Sequence, residues 1–420
     1  MTGDDRVATV AGPGPALSRN GDFLVLWSSQ ALSVTGNALA LVALPLLVLS
    51  ATGSVTQMGV LTAAGTAGWI VSGVLAGHVV DRFDRRRLMI LTDLVRAALY
   101  GAIPLCWLFR PQIWLLYVVA VLAAAFGMLF QVAYATVLPS LVRRDQLLDA
   151  NSRLEATFAL SYVVGPVCAG VLTAAVGGAG AVGLNALSFL VSAAGLAVIR
   201  LRPPEEARAG TEPVLSGWGD LLAGVRFLWN SPILRTLTLL LSALTFLTLG
   251  ATDVFIYYLK TDLGQGDTAV GYALGAAGIG SIAGALLVPR VRRRFGFGVA
   301  WLGANLVSGV AMAAVGLVTD VPLVAVLAAT FSFGMTAAAV TSVSLRQQIT
   351  PDHLLGRVTA VFRTLHSALA PLGALILTAA TGTAGVRAVC LAGGGAVIAL
   401  VGLGVLSPAR RRHPELTGVS

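Results

Sequence analysis

GHVVDRFDRRR, residues 77–87, stands between two long apolar segments of the chain. Its charged side chains cannot remain in hydrocarbon, where each charge is costly. The segments on both sides are long enough to cross a bilayer, so this stretch is expected to form a short turn at a membrane surface. The tendency of cytoplasmic loops to be basic explains the arginines, but topology requires neither Gly77 nor Asp81.

The composition of the chain excludes a soluble domain. Its 420 residues are 56% hydrophobic and 11% charged, and the mean hydropathy is +0.85. The backbone inside apolar segments must be helical, because the bilayer core offers no hydrogen-bond partners. We therefore predict an all-α membrane protein with twelve spans near residues 23–49, 57–80, 88–109, 113–138, 147–176, 181–201, 232–258, 268–289, 297–319, 322–346, 355–380 and 384–406.

The basic residues divide unevenly between the two sides of the predicted membrane. Of the 28 lysines and arginines, 22 fall in the tails and loops of one side. Arg110, Lys260 and Arg387 fall on the other side, and the remaining three lie within spans. The positive-inside rule makes the basic side cytoplasmic, and an even number of spans places both termini there. The net charge of +9 thus reflects orientation in a membrane, and no nucleic-acid partner is expected.

The chain also carries signs of an internal duplication. Residues 145–148 (DQLL) precede the fifth span, and residues 352–355 (DHLL) precede the eleventh, an offset of about 207. Between the halves lies the longest predicted loop, with an amphipathic segment at Trp218–Trp229. The predicted parts are a disordered cytoplasmic tail without signal-peptide order (1–21), a six-helix bundle (22–201), a cytoplasmic linker (202–230), a second six-helix bundle (231–407) and a cytoplasmic tail (408–420).

The form of residues 77–87, Gly-x-x-x-Asp-Arg-x-x-Arg-Arg-Arg, resembles the loop signature of major facilitator transporters. Residues 30–37 (QALSVTGN), 44–47 (LPLL) and 137–142 (VLPSLV) resemble the macrolide and siderophore exporter branch of the drug:proton antiporters. The resemblance implies two pseudo-symmetric six-helix bundles in a bacterial cytoplasmic membrane. It also implies proton-coupled export of an amphiphilic drug or secondary metabolite. A proton-coupled importer of a nutrient or lipid, and a non-transporting scaffold or sensor on the same fold, remain alternatives.

Two motifs are candidates for gating. The resemblance places Asp81 near the start of the eleventh span, where a helix N-terminus attracts a carboxylate. Gly77 would allow close helix approach there, while Arg82 and Arg85 belong to the same motif, although topology alone accounts for arginines in this loop. Residues 165–170 (GPVCAG) resemble the Gly-Pro-x-x-Gly-Gly motif of antiporters, with Gly165 and Pro166 at its start. An ordinary kinked and tightly packed helix explains this second motif equally well.

Polar residues inside spans are costly and are therefore candidates for the site. Asp253 is the best acid for proton coupling, because the other acids lie near the cytoplasmic face or have a local partner. An outer-rim carboxylate paired with Lys260 is the alternative. Exporters of the resembling branch often have an acid where this chain has Asn37, which argues against a proton site in the first helix. The candidates for substrate binding are Gln30, Asn37, Gln131, Tyr134, Tyr257, Arg363 and His366. Snorkelling of the side chain to the cytoplasmic face is the alternative for Arg363. Single hydrogen bonds between helices explain the glutamines, the tyrosines and the histidine equally well.

The sequence does not support an enzymatic, ATP-driven or metal-dependent function. The chain has no Walker-type phosphate loop, and its four histidines and three cysteines are too scattered for a metal site. We therefore expect neither an enzyme nor a cofactor nor a bound metal. The expected partners are a small-molecule substrate, protons and the lipid bilayer, and the protein is expected to be a monomer. Asp93 and Arg96, three residues apart in the third span, are predicted to form a local ion pair.

Overall fold

The computed structural model describes residues 17–142, 146–199 and 218–414 of the chain. The predicted tail at 1–21, the tail at 408–420 and the linker at 202–230 lie partly outside these residues, so the predicted parts of the chain stay predictions. The described residues are helical or lie in short connections. The first half contains α1 (Gly21–Thr52), α2 (Val55–Arg82), α3 (Arg85–Trp107), α4 (Ile113–Leu141) and α5 (Leu147–Val198). The second half contains α6 (Trp218–Asn230), α7 (Pro232–Thr248), α8 (Ala251–Tyr257), α9 (Asp267–Phe295), α10 (Phe297–Val315), α11 (Val321–Ile349), α12 (Asp352–Ala368) and α13 (Ala370–Val405).

The helix ends follow the local sequence. Gly53, with φ of 67°, ends α1, and the Ser54 side chain then accepts a hydrogen bond from the Gln57 N–H at the start of α2. The carboxylate of Asp84 caps α3 by accepting from the Arg87 N–H at 2.8 Å. These side chains satisfy backbone groups that a helix terminus leaves unpaired. The predicted turn is therefore confined to Phe83 and Asp84, and the rest of residues 77–87 belongs to the ends of α2 and α3.

Helix α5 contains two spans, because a straight helix of its 52 residues would be about 78 Å long, far more than a bilayer core. The break lies at Gly177, with φ of 76° and ψ of 162°. Residues of α5 on both sides of Gly177 contact α1, which shows that the chain reverses at this glycine. Trp27 Nε1 donates to Thr157 Oγ1 at 2.9 Å, Gly178 packs against Leu47, and Gly195 packs against Ser29.

A second break, at Gly385 in α13, has φ of 82° and ψ of 160° and lies 208 residues after the first. Close packing recurs at the same offset, since Gly165 packs on Ala38 and Gly373 packs on Phe246. Within the described ranges, ten helical segments are long and apolar enough to span a membrane. Because two of them fold back at these glycines, the chain makes twelve spans in two pseudo-symmetric halves, as predicted.

Three predicted span boundaries are corrected by the structure. The turn expected at 177–180 is reduced to Gly177, and the turn expected at 381–383 lies instead at Gly385, since glycine reverses the chain without steric cost. The seventh span, predicted as one helix at 232–258, is interrupted between α7 and α8 and ends in a π-helical turn, Tyr258–Asp262. Gly250, at the interruption, packs directly on the backbone of Ala374. The amphipathic segment forms α6.

The bundle has two chemically different ends. We call the end with the turns at residues 82–87 and 290–297 the basic end, and the end with Arg110, Lys260 and Arg387 the opposite end. One cluster of buried hydrophobic side chains at the opposite end contains residues of both halves, such as Met58 and Leu377. At the basic end the described residues form two separate clusters, one in each half. The apolar core is therefore shared at the opposite end and divided at the basic end.

Candidate functional site

The two halves meet closely in the part of the bundle toward the opposite end. A Cβ atom added to Gly59 of α2 would lie 1.8 Å from Thr378 Oγ1 in α13. Gly170 of α5 and Gly271 of α9 face each other so closely that a Cβ on either would approach the other's backbone. Small residues allow such backbone approach between membrane helices. Two helix pairs, α2 with α13 and α5 with α9, therefore form the interface.

Asp253 lies at this interface and is almost fully buried, with 3% of its surface exposed. The Thr62 hydroxyl of α2 donates to Asp253 Oδ2 at 2.7 Å, so this hydrogen bond joins the first half to the second. Thr62 lies one helical turn after Gly59, on the face of α2 that contacts the second half. The predicted alternative, a rim pair of Asp253 with Lys260, is wrong, because Lys260 Nζ lies 2.5 Å from Asp267 Oδ1 instead. Lys260 lies in the π-helical turn that follows α8, the helix that contains Asp253.

The first half encloses a polar cluster at mid-depth. Asp93 and Arg96 form the predicted ion pair and both are buried. The Arg96 guanidinium lies 4.1 Å from the ring centre of Phe189 and 5.0 Å from that of Phe130. Gln30, buried in α1, donates to Ser192 Oγ at 3.4 Å. The pair is therefore held between aromatic rings and away from water.

Tyr134 adjoins the same cluster through its ring. It stacks on Phe130 with 6.2 Å between ring centres. Its hydroxyl is enclosed and has no hydrogen-bond partner. Two predicted substrate-binding residues, Gln30 and Tyr134, therefore lie beside this polar cluster. The Tyr134 hydroxyl is an unpaired polar atom there.

The second half contains a contrasting cluster around Arg346 of α11. Arg346 is 5% exposed, and its guanidinium lies 3.9 Å from the ring centre of Phe362 in α12. The other predicted residues here are His366, which is partly exposed, and Arg363, which is exposed. His366 stacks on Phe362 at 5.6 Å, and its Nε2 lies 2.7 Å from Thr245 Oγ1 of α7.

The remaining predicted site residues lie elsewhere. Asn37 and Tyr257 are partly buried, whereas Gln131 is exposed. Gly77 is partly buried near the end of α2, and Arg82 and Arg85 are exposed at the basic end. The Asp81 side chain lies outside the described part of the structure. Gly165 packs on α1 within its own half, while the Pro166 carbonyl oxygen lies against Gly271 of the other half.

Sequence reasoning missed two residues of the site. Thr62 carries no signal, because hydroxyl side chains often bond their own helix backbone inside apolar segments. Arg346 ends an apolar segment and was therefore counted with the arginines that orient the protein. The available signal was its wide separation in sequence from the next basic residues, which sets it apart from the arginine-rich loops. Among the described residues, no group of histidines, cysteines and acids could hold a metal ion.

Comparisons with known proteins agree with the duplicated helical plan. The family model described as "Major Facilitator Superfamily" matches residues 26–374. The multidrug efflux pump Tap of Mycolicibacterium fortuitum is 32% identical over 384 residues, which cover 89% of this chain and 93% of that protein. The enterobactin exporter EntS of Escherichia coli is 27% identical over 360 residues, or 84% of each chain. A bacterial homologue of the human lysosomal transporter Spinster superposes with a TM-score of 0.73 at 15% identity, covering 97% of this chain and 98% of that chain.

Proposed function

Because this chain belongs to the major facilitator superfamily, we propose that it exports an amphiphilic compound in exchange for protons by alternating access. The names of its relatives, a multidrug efflux pump and an enterobactin exporter, support export over uptake. The unequal distribution of basic residues supports a cytoplasmic basic end and cytoplasmic termini. Export would therefore run from the basic end toward the opposite end.

The hydrogen bond between Thr62 and Asp253 carries the proposal for coupling. It joins the halves where they meet at the opposite end. A carboxylate accepts from the Thr62 hydroxyl, whereas a protonated carboxyl can also donate, so proton transfer changes this contact. Opening the opposite end must break the bond and admit water to Asp253. Proton exchange and opening are therefore linked at one residue.

The divided core supports a two-state movement. The halves share apolar packing at the opposite end and have separate apolar cores at the basic end. This arrangement fits a state closed at the opposite end. Closing the basic end while separating Gly59 from Thr378 and Gly170 from Gly271 would produce the other state. Close helix packing of Pro166 and Gly170 against the second half supports a role for the antiporter-like motif in this movement.

The experiment is transport into inverted membrane vesicles with an acidic lumen. Fluorescent compounds with different charges, ethidium (cation), Nile red (neutral) and carboxyfluorescein (anion), serve as probes. Wild-type protein should accumulate at least one probe in the lumen while protons leave. Asp253→Asn should reduce pH-driven accumulation at least tenfold and retain exchange of the probe down its own gradient. Asp267→Asn, which removes a carboxylate bound to Lys260 at the same end, is the matched control and should retain accumulation.

Each alternative function predicts a different result in this assay. An importer would show proton-driven uptake in right-side-out vesicles and none in inverted ones. A scaffold or sensor would transport none of the probes and would tolerate Asp253→Asn. If Asp253→Asn still concentrates the probe against its gradient, proton coupling through this residue is wrong.

A further inference from the structure

Arg346 is a buried cation for which the described structure provides no counter-charge. Its guanidinium Nε and Nη1 are enclosed and make no hydrogen bond. The hydroxyls of Ser342, one turn earlier in α11, and of Thr350, just after the end of α11, are also enclosed and unpaired. Asp93, by contrast, neutralises the buried Arg96 of the first half.

The surroundings of Arg346 add positive charge instead of removing it. Arg363 directly follows Phe362 in α12, and His366 lies one turn after Phe362 in the same helix. Phe362 lies between Arg346 and His366, with the imidazole stacked on the ring. The cluster has an open side, because Arg363 is exposed and His366 is partly exposed.

A buried charge costs free energy unless a partner of opposite charge and further hydrogen bonds offset the desolvation. The stacking of Arg346 on Phe362 offsets a part of this cost, as a cation–aromatic contact does. It leaves the Nε and Nη1 donors without a partner among the described residues. A charged N–H donor makes a strong hydrogen bond to an oxygen of a carboxylate or a related anion. Topology does not explain the residue, since orientation requires an arginine at the membrane surface and not one enclosed in the bundle.

We infer that Arg346 and Arg363 bind an anionic group, of the carboxylate class, on the transported compound, with Phe362 orienting the Arg346 guanidinium. The inference rests on the proposed function in taking the ligand to be the transported compound. Arg346 lies near the basic end of the tenth span (α11), whereas Arg363 and His366 lie on the eleventh, which packs against α2 across the interface at Thr378. About twelve residues, or about 18 Å, separate His366 from Thr378 along the helices. An anion bound here therefore lies on the basic-end side of the closed contact, the side from which export would begin.

Binding measurements on the purified protein test this site without requiring transport. The protein is placed in nanodiscs of phosphatidylcholine, and fluorescence anisotropy measures the binding of carboxyfluorescein and of rhodamine 123. These dyes share a tricyclic ring system and carry opposite charges. Carboxyfluorescein should bind at least tenfold more tightly than rhodamine 123. Arg346→Gln should weaken its binding at least tenfold, Arg363→Gln severalfold, and Arg346→Lys less than Arg346→Gln.

Arg153→Gln is the matched control. Arg153 is a partly exposed arginine of the first half whose guanidinium lies 5.9 Å from the Trp27 ring centre. The substitution should leave carboxyfluorescein binding unchanged. Absence of carboxyfluorescein binding, equal binding of rhodamine 123, or binding that neither Arg346→Gln nor Arg363→Gln weakens would overturn the inference.

Thermal stability separates a binding role from a structural one. Arg346→Met removes the unpaired charge and retains apolar contact with Phe362, so the ligand-free variant should melt at a higher temperature than the wild type. Carboxyfluorescein should raise the melting temperature of the wild type and not that of Arg346→Met. A lower melting temperature for ligand-free Arg346→Met, with an unchanged response to the dye, would assign Arg346 a structural role.

The two proposals fail in different ways. If carboxyfluorescein binds through Arg346 but no probe crosses the vesicle membrane, the transport function is wrong and the anion site stands. If probes are exported and Arg346→Gln changes neither binding nor charge preference, the anion site is wrong and the transport function stands. Asp253→Asn, which alters only the coupling contact, should bind carboxyfluorescein as the wild type does.

Discussion

Asp93 and Arg96 show how the chain tolerates charge inside the first half. The ion pair is buried, and two aromatic rings lie against the guanidinium. Its energetic value depends on both partners, since removing one leaves a buried charge without compensation. Arg346 in the second half has no such partner among the residues whose side chains the structure describes. The pair therefore shows how a buried arginine is stabilised when a carboxylate is present, and it can be compared with Arg346 at the proposed anion site.

Replacing one partner of the pair should be costly. We expect Asp93→Asn to lower the free energy of unfolding by about 3–5 kcal/mol, because Arg96 then keeps its charge without an anion. The double substitution Asp93→Leu with Arg96→Met should recover most of this loss, since apolar side chains of similar size often replace a buried pair without cost. Thermal unfolding of the purified variants measures both effects. A double variant as unstable as the single one would show that the pair has a role beyond mutual neutralisation.

At the residue scale, the sequence predicted contacts within one helix and failed for contacts between helices. The pair of Asp93 with Arg96 followed from their spacing, because residues three apart lie on one helix face. The partner of Asp253 did not follow, since Thr62 is 191 residues away in the chain. Lys260 was the nearer cation in sequence, but the π-helical turn directs it to Asp267. Such partners depend on packing that a single sequence does not reveal.

At the scale of elements, the glycine breaks at Gly177 and Gly385 define the two outer hairpins. Their backbone angles lie in a region that is nearly restricted to glycine. A Cβ added at either position would meet no atom within 4 Å. The requirement for glycine is therefore conformational and not steric. The sequence predicted the existence of both turns from hydropathy, but it left their exact positions open because small apolar residues surround them.

Two glycines of α13 make a matched test of this conclusion. Gly385→Ala should destabilise the protein by about 1–3 kcal/mol, because alanine must adopt the strained backbone angles. Gly395→Ala lies in the same helix, also with no atom within 4 Å of the added Cβ, and has helical geometry. It should stabilise the protein by about 0.5–1 kcal/mol, as alanine does inside a helix. Changes of the same sign in thermal unfolding would show that α13 does not reverse at Gly385.

At the scale of the whole molecule, the structure describes one conformation, with an apolar core shared at the opposite end and divided at the basic end. The sequence predicted the twelve spans, the two halves and the basic side, because these depend on composition and periodicity. It did not predict which end is closed, since the proposed movement leaves the spans and the charges unchanged. Contacts between the halves, such as Gly59 with Thr378, show which end is closed, and only the packed structure reveals them.

Labelling of single cysteines tests the proposed orientation. In a variant without the native cysteines, Arg110→Cys and Arg387→Cys should react with a membrane-impermeant maleimide added to whole cells. Arg85→Cys and Arg411→Cys should react only after the membrane is opened. All four arginines are exposed, so access and not burial decides the result. Labelling of Arg411→Cys from outside would reverse the topology and, with it, the direction of transport.

The balance between the two states is expected to depend on Asp81. This residue lies in the last turn of α2, which contacts α12, and α12 begins at Asp352. A carboxylate near a helix N-terminus gains about 0.3–1 kcal/mol. If that attraction holds the basic end closed in the outward-open state, Asp81→Asn should increase the population open at the basic end about two- to fivefold. Spin labels at Asn151 of α5 and Arg290 of α9 report the separation there, and labels at Arg110 and Arg387 report the opposite end.

Asp84→Asn is the control for this measurement, because it removes an equal charge three residues away. Asparagine can retain the cap that Asp84 forms with the Arg87 N–H. The control should therefore leave both distance distributions unchanged and keep α3 stable. Asp81→Asn should lengthen the distances between the basic-end labels and shorten those between the opposite-end labels, since alternating access couples the two ends. An equal shift in both variants would mean that the net charge of the turn, and not the position of Asp81 at the helix N-terminus, sets the balance.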